Sequence, residues 1–338
     1  MLVVRPIRAG DYESLLDIAR ESGVGFTSLP INEAILRRRI EHSLHAFAAD
    51  IQQPAGEGYL CVVEDSASGT IVGTTGIESA VGLSAPFYHY HLAKVVHASR
   101  ALGVHNVIDL LTLCNDYTGS SEICTLYLRP AWRGSVNGRL ASRSRFLLMA
   151  EHPERFSQTV IAEMRGVSDE DGRSPFWQWL QEHFFRIDFP TADYLTGIGH
   201  KGFIAELMPK YPIYVSLLSA AAQAVIGQVH PHTVPALKLL EAEGFVSRGY
   251  VDIFDAGPTV ECPLRFIRTV RRSRRLAWQI GEVGNGEPML LANTRLQQFR
   301  CVAAPARIED ERLVLAAATA RLLLLDEGEA VRCSPLVR

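Results

Sequence analysis

The sequence predicts an α/β fold in which a mixed, twisted β-sheet is flanked by helices. Three observations support this prediction: apolar runs of strand length alternate with amphipathic helical segments, hydrophobic residues make up 47% of the chain, and charged residues make up 21%. This composition is typical of a globular protein with a buried core. The length of 338 residues suffices for two compact domains, or for one long domain with an appendage.

The N-terminal part of the chain predicts a strand, two helices and a hairpin. Residues 2–7 form an apolar run, and Asp11 and Asn32 precede segments whose apolar residues recur at helical spacing, as N-caps do. Two further apolar runs, 58–65 and 70–79, are separated by a short Ser/Gly segment, which predicts a β-hairpin.

The central and C-terminal parts alternate strands with helices. The predicted strands are 123–128, 159–167, 203–208, 225–230 and 250–255, and the predicted helices are 138–150, 174–185 and 234–245. The strand-to-helix segments that begin near 160 and 225 are weakly similar, by chance or because they are two copies of one supersecondary unit. After residue 275 the chain is Gly-rich and then predicts short strands around one small helix.

Charge and cysteine usage exclude several classes of protein. A net charge of −3 does not suit a nucleic-acid partner, and the basic run 268–275 reads as a boundary or interface. The six cysteines include no CxxC pair, which argues against a zinc or redox motif. The start has no signal-peptide pattern, and the apolar stretch 313–325 is short and interrupted by Arg321. We therefore expect a cytoplasmic protein without a membrane partner.

The segment LYLRPAWRGSVNGRLAS (126–142) predicts a strand, a turn and a helix start that can hold an anion. Backbone N–H groups at a helix N-terminus favour negative charge, Gly134 and Gly138 allow close approach, and Arg133 adds a positive charge. The segment is neither a Walker loop nor a dinucleotide fingerprint.

This loop resembles the acyl-CoA pyrophosphate loop of GCN5-related N-acetyltransferases, whose pattern is [QR]xxGx[GA]. Arg133 takes the first position and Gly138 the last, whereas Val136 stands where the pattern has Gly. Because a β-branched residue disfavours positive φ, Val136 predicts a different loop path or a phosphate placed further out.

A longer series of segments resembles the arginine N-succinyltransferase family, in order across residues 1–275. These segments are LVVRP (2–6), TSLP (27–30), YLCVVED (59–65), VHAS (96–99), NDYTGSSEICTLYL (115–128), AEMRG (162–166), SPFW (174–177), FIAELMPKYPIY (203–214), GQVHP (227–231) and YVDIFDAGPTVEC (250–262). The resemblance implies transfer of a succinyl group from succinyl-CoA, as co-substrate, to the α-amine of L-arginine, with ornithine as a second candidate substrate. It implies no metal and no other cofactor.

The resemblance also implies particular site residues. His230 matches the family's proton donor and Leu126 its succinyl-CoA contact, with Arg133, Gly134 and Gly138 near the diphosphate. In this fold class pantetheine lies along a splayed strand, so Leu126 would contribute backbone hydrogen bonds. An imidazole of near-neutral pKa suits proton transfer, although His232 lies close enough to be confused with His230.

The substrates need acids for the guanidinium group and cationic or hydroxyl donors for the carboxylates. We predict substrate contacts at Glu163, Arg165, Ser120 and Ser121. Further candidate acids and anion partners are Glu206, Asp252, Asp255, Ser28, Ser99 and Arg100.

The implied architecture has two packed acetyltransferase-like units and an appendage. We predict an acyl-CoA-binding unit at 1–190, a second unit at 191–275 that completes the active site, and a small β-rich region at 276–338. Two alternatives stay open: a structural or regulatory α subunit that needs a related β chain, and an acyltransferase of other specificity. The candidate protein partner is a related β chain or a second copy of this chain.

Overall fold

A computed structural model describes residues 1–23 and 28–336 of the chain, so Thr27 of the TSLP segment lies outside the described residues. The helices are α1 (Tyr12–Ser22), α2 (Glu33–Ala48), α3 (Ser135–Glu151), α4 (Pro175–Leu180), α5 (Phe189–Gly197), α6 (Gly202–Leu207), α7 (Ala220–Val225), α8 (Val234–Glu241), α9 (Arg268–Arg272) and α10 (Ala317–Leu322). The strands are β1 (Leu2–Pro6), β2 (Gly58–Asp65), β3 (Ile71–Glu78), β4 (His89–Ser99), β5 (Val104–Cys114), β6 (Ser121–Leu128), β7 (Thr159–Glu163), β8 (Ile213–Tyr214), β9 (Val246–Val251), β10 (Pro258–Pro263), β11 (Arg274–Ile280), β12 (Glu287–Asn293), β13 (Cys301–Glu309), β14 (Arg312–Leu315) and β15 (Ala330–Pro335).

The strands of the described chain form one hydrogen-bonded sheet, and its central part has the order β1-β2-β3-β6-β7-β10-β9. Neighbours in this part are antiparallel except for β6 and β7, which are parallel. The predicted mixed sheet with flanking helices is therefore confirmed as a mixed α/β fold. Strand β10 of the predicted second unit pairs directly with β7 of the predicted first unit, and β9 lies on the far side of β10. The division into two units stays a prediction.

Helices cover both faces of the central sheet. On one face, α1 and α2 bury residues such as Leu15 and Leu36 against Leu60 and Val62 of β2. On the other face, α3 packs in the largest core cluster together with α8, β10 and part of the C-terminal region. The helices α1 and α2 each contribute an apolar stripe at the spacing expected of an amphipathic helix, whereas α3 is buried all round from Leu140 to Met149.

The predicted caps of the first two helices differ in how they work. The Asn32 side chain accepts a hydrogen bond from the Ile35 N–H, so this N-cap prediction is confirmed. Asp11 stands at the N-cap position of α1 without a side-chain capping bond there. Its carboxylate instead accepts hydrogen bonds from the buried Arg5 guanidinium and from the Arg8 N–H.

The region after residue 275 contains β12 to β15 and α10, in agreement with the prediction of short strands around a small helix. These elements and β11 enclose a core of their own, and β13 pairs with β1 to join them to the central sheet. Whether this region is a unit with a separate role stays a prediction.

Three strand predictions between 200 and 255 are wrong in whole or in part. Residues 203–208 lie mainly in α6, where Ile204 and Met208 turn one face into the core. Residues 225–230 begin at the end of the Ala-rich α7 and continue as a turn, and the described backbone there makes a single bridge, Gly166 to Val229. The predicted strand 250–255 overlaps β9 only at its first two residues. The segments that begin near residues 160 and 225 are therefore not two copies of one strand-to-helix unit, because the second segment contains no strand.

Candidate active site

The parallel strands β6 and β7 separate and leave a wedge in the middle of the sheet. They pair only at Ser121 with Val160 and at Glu122 with Ile161, after which β6 continues to Leu128 without a ladder partner in β7. Thr125 has a φ of 55°, and the pairing with β3 shifts register there, so β6 carries a bulge. Bulges bend a strand and leave backbone groups unpaired, which suits an extended ligand.

Leu126 and the loop after β6 line the open end of this wedge. Leu126 is half-buried and packs against the core on the α3 side. The Nε of Arg133 donates to the Leu128 carbonyl oxygen at 2.8 Å, while the side chain stays exposed. A Cβ added at Gly134 would meet no atom within 4 Å, and one at Gly138 would meet only Leu239 at 3.9 Å. Internal packing therefore does not require either glycine, which leaves room for a ligand at the start of α3.

Val136 does not force the loop from its expected path. It is the second residue of α3 and lies outside the positive-φ region. Its side chain is 46% exposed and therefore fills no part of the core. The strain expected from a β-branched residue at positive φ does not arise at this position.

His230 lies at the carboxyl end of β7, where the wedge opens. Its backbone N–H donates to the Arg165 carbonyl oxygen at 2.9 Å, beside the bridge between Gly166 and Val229. Its Nδ1 accepts a hydrogen bond from the His232 N–H at 3.2 Å. Burial, followed by the positive charges of Arg165 and His232, lowers the pKa of His230. At neutral pH the imidazole is therefore mainly neutral and able to accept a proton.

Arg165 and Asp255 shape the turn that follows β7. The Nη2 of Arg165 donates to the Ser168 hydroxyl at 2.9 Å, and its buried Nε has no hydrogen-bond partner within the described chain. Asp255 accepts backbone N–H groups from Gly166 at 2.6 Å and Gly257 at 2.8 Å. Burial raises the pKa of Asp255 to about 6. Arg165 thus lies close to His230, whereas the Asp255 carboxylate stabilises the turn through its two backbone hydrogen bonds.

Glu163 ends β7 and meets a buried histidine. Its Oε1 lies 3.0 Å from the Nε2 of His89, whose ring is fully buried and packs edge-on against Tyr117. Directly opposite Glu163 on β10 lies Thr259, which is fully buried and has a hydroxyl without a hydrogen-bond partner in the described chain. Glu163 is itself 28% exposed, so a ligand can reach it.

The two serines predicted to contact substrate are both buried within the fold. The fully buried Ser121 hydroxyl donates to the Ser79 carbonyl oxygen at 2.6 Å and accepts the Ser157 N–H at 2.8 Å. Ser120 is also buried, and its backbone joins Tyr117 and Val81. A substrate contact by either serine stays a prediction, and this geometry does not support it.

Several other sequence candidates lie apart from the wedge. Ser99 ends β4 and Arg100 follows it at the turn of the long β4–β5 hairpin, and Glu206 is an exposed residue of α6. Asp252 accepts backbone N–H groups from Phe254 and Asp255, so it supports the same turn as Asp255.

Sequence reasoning missed two carboxylates on the face that carries Glu163. Glu122 of β6 is paired with Glu78 of β3 and lies on the same face. Burial, then the charges of Glu163 and Glu78, raise the pKa of Glu122 to about 8. The signal was present in the sequence, because an acid directly before the otherwise apolar run ICTLYL is unusual for a central strand.

The raised pKa of Glu122 predicts a pH-dependent stability. Because the folded state holds this proton more tightly than an unfolded chain, in which the pKa of a glutamate is 4.5, the stabilisation is complete below about pH 4.5 and is lost as pH rises through about 8. We expect Glu122→Gln to match the wild type near pH 4.5 and to melt at a higher temperature above pH 8. Thermal unfolding at both pH values checks this, and equal melting temperatures above pH 8 would contradict it.

The six cysteines offer no ready nucleophile. Each is free, and burial raises the pKa of each thiol, to about 12 for Cys61 and about 11 for Cys262. A thiolate is the reactive form, so these environments disfavour a covalent thioester intermediate.

Residues 1–23 and 28–336 contain neither a cluster of metal-ligating side chains nor a helix of membrane-spanning character. No group of three or more His, Cys, Asp or Glu side chains in these ranges could hold a metal ion. Within the same ranges, no helix is both long and apolar enough to cross a membrane.

Two family models match the chain almost end to end. One, described as "Arginine N-succinyltransferase beta subunit", matches residues 2–269. The other, described as the C-terminal domain of the same beta subunit, matches residues 272–335.

Curated proteins and a solved structure are similar over the same length. The chain is 49% identical to "Arginine N-succinyltransferase" of Enterobacter sp. (strain 638) over 334 residues, covering 98% of this chain and 97% of that protein. The protein of the same name from Escherichia coli O139:H28 is 48% identical with the same coverage. The structure of arginine/ornithine succinyltransferase subunit AI from Pseudomonas aeruginosa matches with a TM-score of 0.92 and 40% identity, covering 100% of this chain and 99% of that chain.

Proposed function

The chain belongs to the arginine N-succinyltransferase family, and we propose that it transfers succinyl from succinyl-CoA to the α-amine of L-arginine in the wedge between β6 and β7. The enzyme is an acyltransferase. The observation that carries this site is the separation of β6 and β7 one residue past Glu122, with His230 at the carboxyl end of β7.

In this proposal the pantetheine of succinyl-CoA lies along β6 beside Leu126. The unpaired edge of β6 offers the backbone groups that an added strand would use. The diphosphate lies at the start of α3, where N–H groups and the helix dipole favour an anion and Arg133 adds charge. The open space above Gly134 and Gly138 supports this placement.

His230 is proposed as the group that moves a proton between the nucleophile and the leaving group. The amine attacks the thioester carbonyl carbon, the C–N bond forms, and the nitrogen of the tetrahedral intermediate gives a proton to the neutral imidazole. The imidazolium then protonates the sulfur as the C–S bond breaks. The lowered pKa of His230 supports both steps, because its neutral form is available and its protonated form is a good acid.

Arginine recognition is proposed at the acidic face of the sheet. Glu163 is partly exposed and lies beside further carboxylates, which suits a guanidinium group. Arg165 has a buried Nε without a hydrogen-bond partner in the described chain and lies next to His230, so it is a candidate partner for a substrate carboxylate. We propose ornithine as a second candidate substrate, because it carries a side-chain cation as arginine does.

The finer architecture is part of the proposal as well. The strand order β1-β2-β3-β6-β7-β10-β9, with a parallel pair that separates, supports a GCN5-related fold for this core. We propose that residues 1–190 form an acyl-CoA-binding unit, that residues 191–275 complete the active site with His230, and that residues 276–338 form a small β-rich appendage.

Purified chain, succinyl-CoA and L-arginine should release free CoA thiol at a rate proportional to enzyme. The thiol assay checks this, with D-arginine as a control for recognition of the α-centre and omission of arginine as a control for hydrolysis. Thiol release that is independent of arginine, or absent at every enzyme concentration, would contradict the proposal for the isolated chain.

A second candidate is a subunit that needs a related chain. The structural relative carries "subunit AI" in its description, and the matching family models are described as a beta subunit. Under this alternative the purified chain alone is inactive, and activity appears when the related chain is added. Size-exclusion chromatography with light scattering, run beside the thiol assay, separates this result from activity of the chain alone or with a second copy.

A further inference from the structure

The side chain of Lys201, directly before α6, is a cation to which the fold gives no anion. Lys201 is half-buried, and its ammonium nitrogen lies 6.0 Å from the centroid of the Phe87 ring. Within the described part of the chain, no carboxylate forms an ion pair with it. Lys210 and Lys238 also lack ion pairs there, but both are exposed to solvent. A partly desolvated ammonium group is costly without a partner, so Lys201 suits an anionic ligand.

The packing of Lys201 directs it toward the acidic face of the sheet. The Phe87 ring packs against the buried His89 ring with 4.9 Å between centroids, and His89 contacts Glu163 of β7 at 3.0 Å. The positive charge of Lys201 also acts on the carboxyl of Glu122. Lys201 therefore faces the closed end of the wedge, where β6 and β7 form their last pair.

The segment that carries Lys201 is held on both sides. The side-chain amide of Asn32, at the start of α2, donates a hydrogen bond to the Tyr194 hydroxyl of α5 at 3.2 Å. After Lys201, Ile204 of α6 is buried in the core cluster that also contains Tyr90 of β4. The position of Lys201 over the sheet is therefore set by the fold on either side of it.

The acids near Lys201 leave its charge free for a ligand. Glu78 is already paired with Arg39 at 2.8 Å. Burial, followed by the charges of neighbouring carboxylates, raises the pKa of Glu122 to about 8, so at neutral pH this carboxyl is mainly protonated. A ligand carboxylate that approaches Lys201 from the wedge thus meets a cation and a neutral acid.

The proposed course of succinyl-CoA brings such a carboxylate to this end of the wedge. The diphosphate is placed after Leu128, and pantetheine that runs back along β6 past Leu126 carries the thioester toward the closed end. The succinyl chain continues beyond the thioester carbonyl and ends in a carboxylate. Arg165 lies beside His230 at the carboxyl end of β7, so it stays the candidate for the α-carboxylate of arginine. This placement rests on the proposed function.

We propose that Lys201 binds the distal carboxylate of the succinyl group and so selects succinyl-CoA over acyl-CoA molecules whose acyl chain is uncharged. The ammonium group donates a charge-assisted hydrogen bond to a carboxylate oxygen, and no covalent bond forms or breaks. An uncharged acyl chain in the same place would leave the half-buried ammonium group without a partner, which disfavours its binding.

Two stable thioethers of CoA test this role without turnover. The carboxypropyl thioether has the succinyl chain with a methylene in place of the thioester carbonyl, and the butyl thioether differs from it by a methyl group in place of the carboxylate. Calorimetric titration should show that Lys201→Met weakens binding of the carboxypropyl thioether by at least about tenfold, and that of the butyl thioether by less than about threefold. Lys201→Arg, which keeps the charge, should bind the carboxypropyl thioether more tightly than the Met variant does.

Lys210→Met is the matched control, because Lys210 is an exposed lysine shortly after α6 and its loss changes the net charge equally. It should bind both thioethers as the wild type does. Unchanged binding of the carboxypropyl thioether to Lys201→Met, or an equal loss for both thioethers, would overturn the role of Lys201 while the proposed function stands. An inactive wild type in the thiol assay would instead overturn the proposed function, whereas the difference between the thioethers reports on Lys201 alone.

Discussion

Replacing His230 by Ala should reduce kcat by about 100-fold to 10,000-fold while leaving the affinity for succinyl-CoA nearly unchanged. The imidazole is the group proposed to accept a proton from the tetrahedral intermediate and to return it to sulfur, and its place at the carboxyl end of β7 is separate from the proposed diphosphate site at the start of α3. Its backbone N–H, which joins Arg165, is retained in the variant, so the loop should keep its position. Steady-state kinetics with a thiol readout measure kcat, and calorimetry with CoA measures binding.

His232→Ala is the matched control for this prediction. The two rings lie 5.0 Å apart, and His232 holds the Nδ1 of His230 through its backbone N–H, which Ala also provides. We expect His232→Ala to lose less than about tenfold in kcat, since a general acid-base group contributes far more than this. If the larger loss falls on His232→Ala, the two histidines have been assigned in the wrong order.

Gly134→Asp should weaken succinyl-CoA binding by at least about tenfold, which corresponds to about 1.4 kcal/mol. The side chain would project into the open space at the start of α3 and add negative charge where the diphosphate is proposed. The fold should tolerate the change, because the Gly134 backbone is extended with a φ of 178° and no atom lies within 4 Å of the new Cβ. Calorimetric titration with CoA measures the effect.

Gly10→Asp is the control for added charge and bulk, because a Cβ there also meets nothing within 4 Å and the residue lies in the turn before α1. It should bind CoA as the wild type does. If Gly134→Asp bound CoA with wild-type affinity, the diphosphate would lie elsewhere. Val136, which stands where the family pattern has Gly, would then mark a loop that holds the phosphate differently.

Hydrophobic periodicity predicted the elements on which the core depends. The runs at 58–65, 70–79 and 123–128 are β-branched and apolar, and they form β2, β3 and β6 at the centre of the sheet. Periodicity failed at 203–208 because a run of six residues is too short to separate a short helix from a strand, and only packing of Ile204 and Met208 decides it. The hairpin of β4 and β5 was missed because much of it is exposed and carries polar residues on both faces.

The candidate site was predictable where a residue type in a local pattern carries the chemistry. Arg133, Gly134 and Gly138 stand together in one loop, and His230 stands in a distinctive segment. Glu122 could be noticed in the sequence only as an acid before an apolar strand run, because its raised pKa depends on burial and on Glu163 and Glu78, which lie 41 and 44 residues away in the sequence but beside it in the sheet. Sequence spacing does not report such cross-strand neighbours.

The most direct test of the central claim is to identify the bond that the purified chain makes. Succinyl-CoA labelled with carbon-13 at the thioester carbonyl and arginine labelled with nitrogen-15 at the α-amine should give a product with one-bond coupling between the two labels. The same product should not form with the His230→Ala variant over the same time. Labelled succinate, or a succinylated arginine whose carbonyl carbon shows no coupling to the α-nitrogen, would contradict transfer to the α-amine.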